Sequence, residues 1–209
     1  MNRTRTTRLA LLAVLSLGVV LGATPAWGKD AKQEMSREVL VTGTELKASD
    51  KIATARDPEI GKTAPVLTGN GFNGQPVTIG GPGTPRAVVF VAHWCPHCRR
   101  EVPRIVKLAK QGKLDGIEVE TVTTGTSSDA PNYPPSKWLA REKWPFTNVL
   151  NDDADQRAMR GYGGTTYPYF VFLDAQGNVV GRASGELEPK TIAAVAAKLA
   201  AGRSVFSQN

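Results

Sequence analysis

The sequence predicts an α/β layer fold, a central mixed β-sheet with helices on both faces. Three observations carry this expectation. AVVFVA (Ala87 to Ala92) is an unbroken β-branched and aromatic run, the mark of a strand buried on both faces. A helical pattern follows directly in REVPRIVKLAKQ, where Ile105, Leu108 and Ala109 recur at helical spacing. Strand and helix signals then succeed one another as strand, helix, helix, hairpin and helix, the order of a layered α/β domain. A chain of 209 residues with 41% hydrophobic residues suits one such domain plus an additional segment.

That segment opens the chain. Arg3, Arg5 and Arg8 form a basic start without acids, an apolar run extends from Leu9 to Gly22, and ATPAWG offers small residues at Ala26 and Gly28. This is the pattern of a secretory signal peptide over residues 1–28, cut before Lys29. A membrane-spanning helix needs ~20 apolar residues. The run here is shorter and meets Pro25, so membrane anchoring is expected only if the segment is retained. No cysteine follows closely enough to carry a lipid. The expected location is therefore the periplasm, or the extracytoplasmic face of the cell envelope. Residues 29–56 are polar, charged and poor in aromatics, and read mostly as a linker, with VLVTGTEL as a possible short edge strand.

The folded domain is expected over residues 57–209, opening at DPEIGKTAPVL. Dense glycine and proline between Gly69 and Pro85 place a short strand, PVTIG, between turns. After AVVFVA, a helix starts at the cysteines and ends at Gly112. IEVETVTT (Ile117 to Thr124) alternates as the next strand. Beyond the loop APNYPP, Ser136 is expected to cap a short helix carrying Trp138 and Leu139. A further helix is expected from about Ala154 to Tyr162, closed by Gly163. YFVFLD, AQG and NVVGRA read as strand, turn and strand. Glu188 and Pro189 open an alanine-rich final helix through Lys198.

Charge narrows the function classes. Loss of residues 1–28 would take the net charge from +7 to +4, a modest and dispersed excess. Runs such as Arg99-Arg100 are too short for a nucleic-acid groove, so no nucleic-acid partner is expected.

Both cysteines and both histidines lie in AHWCPHCRREVP (Ala92 to Pro103). Small secreted folds held by disulfides carry several of them, and one pair closing so short a loop restrains little. Metal binding has four candidate ligands in Cys95, Cys98, His93 and His97. Structural zinc, however, draws on two separated ligand pairs, and no second pair exists, so no metal and no cofactor are expected. A reactive dithiol fits the position. At a helix start, free N–H groups and the dipole favour a thiolate at Cys95. Pro96 suits the first helical position. His97 can direct a hydrogen bond or a charge at the sulfur. Cys98 follows one turn along the same face, so one thiolate can attack a disulfide and the other resolve the intermediate.

VVFVAHWCPHCRREVP resembles the active-site segment of the thioredoxin superfamily: buried strand, Trp-Cys-X-X-Cys, and a proline five residues after the second cysteine. GGTTYPYFVFLDAQGNVVGRASG resembles its later strand pair. GKTAPVLTG and the Cys-Arg-Arg-Glu-X-Pro helix are most similar to the exported TlpA/ResA-like branch. The resemblance covers about residues 58–202 and implies a thioredoxin-like three-layer fold with thiol–disulfide oxidoreductase activity. It implies Cys95 as nucleophile and Cys98 as resolving thiol, cycling through a Cys95–Cys98 disulfide. Pro168 matches the cis-proline, Tyr167 the residue whose backbone meets substrate, and Trp94 the shielding tryptophan. Glu101 matches an acid near the buried thiol. The implied partners are client proteins with cysteine thiols or disulfides, and a redox partner in the envelope.

The sequence departs from the branch in its dipeptide, Pro-His as in the oxidising DsbA-like proteins, in Val89 where thioredoxins carry a buried acid, and in the bulk of Tyr167. Pro-His argues for an oxidant or isomerase, and the branch for a reductant. Glu101 has a second reading, an ion pair with Arg104 on a solvated helix face. His93 reads as a turn residue, Trp138, Trp144 and Phe146 as packing, and Tyr133 as a possible groove residue. A non-enzymatic module of the same fold, holding a metal or partner protein, is the alternative function.

Overall fold

The computed structural model describes residues 34–48 and 56–206. The leader expected at residues 1–28 lies outside them. Among the described residues, eight strands and four helices follow in the order β1 (Leu40–Thr42), β2 (Val66–Asn70), β3 (Pro76–Ile79), β4 (Arg86–Val91), α1 (Pro96–Lys110), β5 (Glu118–Thr123), α2 (Pro135–Arg141), β6 (Val149–Asn151), α3 (Arg157–Gly161), β7 (Tyr169–Leu173), β8 (Val179–Ser184) and α4 (Pro189–Ala200). The sheet order is β1-β2-β6-β5-β4-β7-β8, with β3 paired to β2. β4 pairs parallel with β5, β5 parallel with β6, and β7 antiparallel with both β4 and β8, so the sheet is mixed as expected.

AVVFVA lacks alternation because both of its faces are covered. Ala87, Val89 and Val91 pack into a core shared with Val102, Ile105, Trp138, Leu139 and Val195 of α1, α2 and α4. Val88 and Phe90 face a second core containing Ala158 and Met159 of α3. β7 divides in the same way, with Phe170 and Phe172 on one side and Tyr169, Val171 and Leu173 on the other. Trp138 and Trp144 are buried packing residues, as read.

Three expectations need correction, and two strands were not foreseen. Residues 34–48 do not run free as a linker. β1 is the edge strand expected within VLVTGTEL and pairs along β2, Val39 and Leu46 are buried, and Arg182 donates to the Lys47 carbonyl at 2.7 Å. Ser136 does not cap α2. Pro134 is the N-cap, and the Ser136 backbone N–H is satisfied instead by the buried Glu34 carboxylate at 2.7 Å. α3 is shorter than expected, because Asp152 and Asp153 accept the N–H groups of Arg157, Ala158 and Met159 and set its start. β2 and β6 were not anticipated. β6 is only three residues long, and its neighbour β2 lies about 80 positions upstream by the register Asn70 to Asn151.

Among the described residues no helix is long and apolar enough to cross a membrane.

Candidate active site

β4 delivers the chain to the site at Val91. The turn Ala92-His93-Trp94 then places Cys95 as N-cap of α1, with extended backbone (φ −67°, ψ 122°) and Pro96 at the first helical position. Proline costs nothing there, since that N–H has no intrahelical partner. Both cysteines are free thiols; Cys95 is 5% exposed and Cys98 fully buried. The Ala92 N–H points at the Cys98 sulfur at 3.4 Å.

The two thiols are driven apart in acidity. Cys95 falls to about 5, chiefly because the Cys98 S–H donates to its sulfur. Burial opposes this, while the backbone N–H groups of Cys98 and His97 at the helix start add to it. Burial pushes the Cys98 thiol far up, and its bond to Cys95 and the nearby Glu101 charge push it further.

The helix-start explanation predicted from sequence is thus correct in direction but second in size. His97 meets its expectation only in part: its charge adds to the lowering of Cys95, after the backbone contributions. Its imidazole is 59% exposed and its Nδ1 lies 2.7 Å from Glu186 Oε1, so it gives the sulfur no side-chain hydrogen bond. Arg100 and Arg104 bind the same carboxylate, Arg104 at 2.8 Å. Together they hold Glu186 down at about 2, with Arg100 the largest cause.

Glu101 is fully buried, not on a solvated face. It keeps the anticipated Arg104 partner at 3.3 Å, and its other oxygen accepts the Leu187 N–H at 3.0 Å. Burial raises its carboxyl above the usual range, against the lowering by these two partners.

Across the site, Tyr167 and Pro168 join through a cis peptide bond. The Tyr167 carbonyl oxygen stands 3.7 Å from the Cys95 sulfur. Trp94 meets the Tyr167 ring edge-on, at 5.8 Å and 88°, and donates its indole N–H to the Gly125 carbonyl at 2.7 Å. Gly125 has φ +58°, and a Cβ there would lie 3.0 Å from the Tyr167 hydroxyl, so this close approach requires glycine. The Tyr167 hydroxyl donates to Gln156. The tyrosine's bulk is therefore directed away from the sulfur, into a wall of the site.

His93 is buried as a strut. Its Nδ1 donates to the Pro131 carbonyl at 2.7 Å and its Nε2 accepts the Ser127 N–H at 3.2 Å. Burial lowers its pKa and these bonds occupy both nitrogens. Among the described residues no group of three or more His, Cys, Asp or Glu side chains could hold a metal ion.

Sequence reasoning missed Glu186, Arg100 and Gln156. No local signal marks them, since Glu186 lies 86 positions from Arg100 and comes to it only through the sheet.

Residues 59–199 match the Redoxin family model. The chain is 26% identical over 128 residues to methylamine utilization protein MauD of Methylophilus methylotrophus, covering 60% of this chain and 56% of that protein. It thus spans little more than half the length of that curated relative. It is 29% identical over 125 residues to the soluble secreted antigen MPT53 of Mycobacterium tuberculosis, covering 60% of this chain and 65% of that protein. Among solved structures, a thiol:disulfide interchange protein of the thioredoxin family from Chlorobium tepidum superposes with TM-score 0.53 at 26% identity, over 66% of this chain and 95% of that one. With strands β2 to β8 of the mixed sheet, a Cys-X-X-Cys helix start and a facing cis-proline all lying inside the matched span, the chain belongs to the Redoxin family and has the thioredoxin fold.

Proposed function

We propose that this protein is an exported thiol–disulfide oxidoreductase that exchanges disulfides with cysteine-containing client proteins through Cys95 and Cys98. The observation that carries this reading is the placement of two free thiols at the start of α1, Cys95 3.7 Å from the Tyr167 carbonyl and Cys98 fully buried beneath it, which lowers the first thiol and raises the second. A thiolate is the attacking species in exchange, and a protonated partner one turn away is spared until needed. A secretory leader pattern and the secreted character in the name of the mycobacterial relative support export.

The reduced form reacts as follows. The Cys95 thiolate attacks one sulfur of a client disulfide; a Cys95–client bond forms, the client S–S bond breaks, and the other client sulfur leaves as thiolate. Cys98 then loses its proton and attacks the Cys95 sulfur. The Cys95–Cys98 disulfide forms, the second client thiolate departs, and two electrons have passed to the client. Run in reverse, the same steps oxidise a client dithiol, and a redox partner protein in the envelope resets the pair. Glu101, a buried carboxylate beside Cys98, accepts the proton that Cys98 gives up. The Tyr167 backbone beside Cys95 lines the path of the client segment.

The test is trapping. Cys98→Ala should accumulate Cys95–client mixed disulfides that reductant releases, and Cys95→Ala none. Wild type mixed with an excess of a disulfide peptide should lose two thiols per chain. Absence of both outcomes would defeat the reading.

A further inference from the structure

A cavity of about 440 Å³ adjoins the nucleophile, lined by Pro96, Arg99, Arg100, Asn132, Arg141 and Glu142. Its volume is in the range of sites that take a small ligand or a few side chains. Three arginines line it against one glutamate. Arg100 is occupied by Glu186, and Arg141 donates to the Asn132 side-chain oxygen at 2.7 Å and lies 4.0 Å from Glu142. Arg99 is exposed, and among the described residues no hydrogen bond or ion pair engages its side chain. The anchored Asn132 matters too. Its Nδ2 donates to the His93 carbonyl at 3.2 Å, so the wall holding Arg141 is tied to the turn that carries Cys95.

We propose that this cavity is a specificity subsite for acidic side chains of the client polypeptide, with Arg99 and Arg141 as the carboxylate-binding pair. This deepens the oxidoreductase reading and rests on it. The location selects the occupant. Pro96 directly follows the nucleophile, so what enters the cavity is continuous with what Cys95 attacks. The cavity beside Tyr167, whose carbonyl lies 3.7 Å from the Cys95 sulfur, is smaller, about 180 Å³, and is charge-balanced, with Asp155 and Arg160 in its lining. A client strand crossing the sulfur therefore meets a balanced wall beside Tyr167 and an arginine-rich one beside Pro96. Arg99 lies four positions after Cys95, about 6 Å along the helix axis. At about 3.3 Å per extended residue, the acid falls about two or three positions from the client cysteine. Guanidinium forks suit carboxylates, binding them through paired hydrogen bonds.

The experiment uses the full reduced protein and twin disulfide peptides, carrying Glu or Gln two and three positions from cysteine on both sides. The Glu peptide should exchange about five- to tenfold faster at low salt, the size expected of two exposed ion pairs. That advantage should shrink in about 1 M salt, where the screening length is about 3 Å. In the double variant Arg99→Ala, Arg141→Ala the Glu-to-Gln rate ratio should fall towards one, whereas Lys190→Ala on α4 should retain it. A ratio of one in the wild type, or a ratio that survives the double variant, overturns the subsite. Non-covalent binding of the same peptides with Ser replacing Cys supplies a readout without exchange. Glu should bind more tightly than Gln by a similar factor, and only while both arginines are present. A protein that exchanges with neither peptide defeats the oxidoreductase reading, and the binding measurement still decides the subsite.

Discussion

The His97 imidazole is held by Glu186, its Nδ1 2.7 Å from Oε1, and not by the sulfur two residues before it. His97 therefore reaches Cys95 mainly through its backbone N–H, which any residue but proline would supply.

The first prediction follows from that arrangement. A lost hydrogen bond to a charged sulfur would move the reduction potential by roughly 30–65 mV. An exposed charge acting at a distance is worth far less, so His97→Ala should lower the potential by only about 5–20 mV. Glu186→Gln should act in the opposite sense. It leaves His97, Arg100 and Arg104 without their carboxylate, so the Cys95 thiolate gains and the potential rises. Equilibration of both variants with glutathione buffers measures this, and a large fall in His97→Ala would restore the direct role of the imidazole.

Alkylation of the reduced protein across pH should label Cys95 first and titrate at about 5. The rate should be flat above about pH 6 and fall tenfold per unit below about pH 4. Because the Cys98 S–H is the largest cause of the lowering, Cys98→Ala should raise the Cys95 value well above that of the wild type. It should stay below the unperturbed ~8.5, since the two backbone N–H groups persist. The oxidised protein has no thiolate. The lowered value therefore favours the reduced form most fully above the unperturbed thiol range, and the preference is lost as pH falls through about 5.

Glu101→Gln separates catalysis from packing. The amide oxygen can still accept the Leu187 N–H, so the fold should persist. Burial raises the native carboxyl, so its ionisation costs stability as pH rises above the ordinary carboxylate range. The variant should accordingly melt no lower than wild type at pH 7. Release of a Cys95–client mixed disulfide should nevertheless slow about tenfold to a hundredfold, the lower range of a general acid–base contribution. Unchanged release kinetics would remove Glu101 from the mechanism.

Arg182 supplies a prediction about stability alone. It is buried and grips both Asp57 oxygens, at 2.6 and 2.7 Å, while also donating to the Tyr169 hydroxyl at 3.2 Å. Burial pushes the Asp57 carboxyl up, but the Arg182 bonds, the Glu59 N–H and the Lys62 charge together hold it below the usual range. Stability from this pair is present above about pH 4 and lost as pH falls through the lowered value. Arg182→Met should cost about 3–5 kcal/mol at pH 7, because Asp57 is left without its partner. Denaturant titration at pH 7 and pH 3 checks both statements, and the penalty should be smaller at pH 3.

What was legible in the residues was local. The doubly buried AVVFVA, the helix it feeds, and the cysteine pair at the helix start need only near neighbours and periodicity to be recognised. The hairpin from Tyr169 to Ser184 is of the same kind. Identification of Tyr167 and Pro168 as the facing wall came from the resemblance of their segment to a known fold, and the structure sets the Tyr167 carbonyl 3.7 Å from the Cys95 sulfur.

What only the tertiary structure decided is long-range. Glu34 satisfies Ser136 across 102 positions, Leu40–Thr42 join the sheet edge, and Glu186 takes His97 away from the sulfur across 89. Sequence pattern records which residues prefer a helix, a strand or an interior. It does not record which distant carboxylate will meet which cation, because that depends on how the sheet stacks its strands. The sequence by itself determined that a cysteine pair sits at a helix start. The folded chain decided that Cys98, more than His97, lowers the Cys95 thiol, since burial beneath Cys95 keeps Cys98 protonated and able to donate.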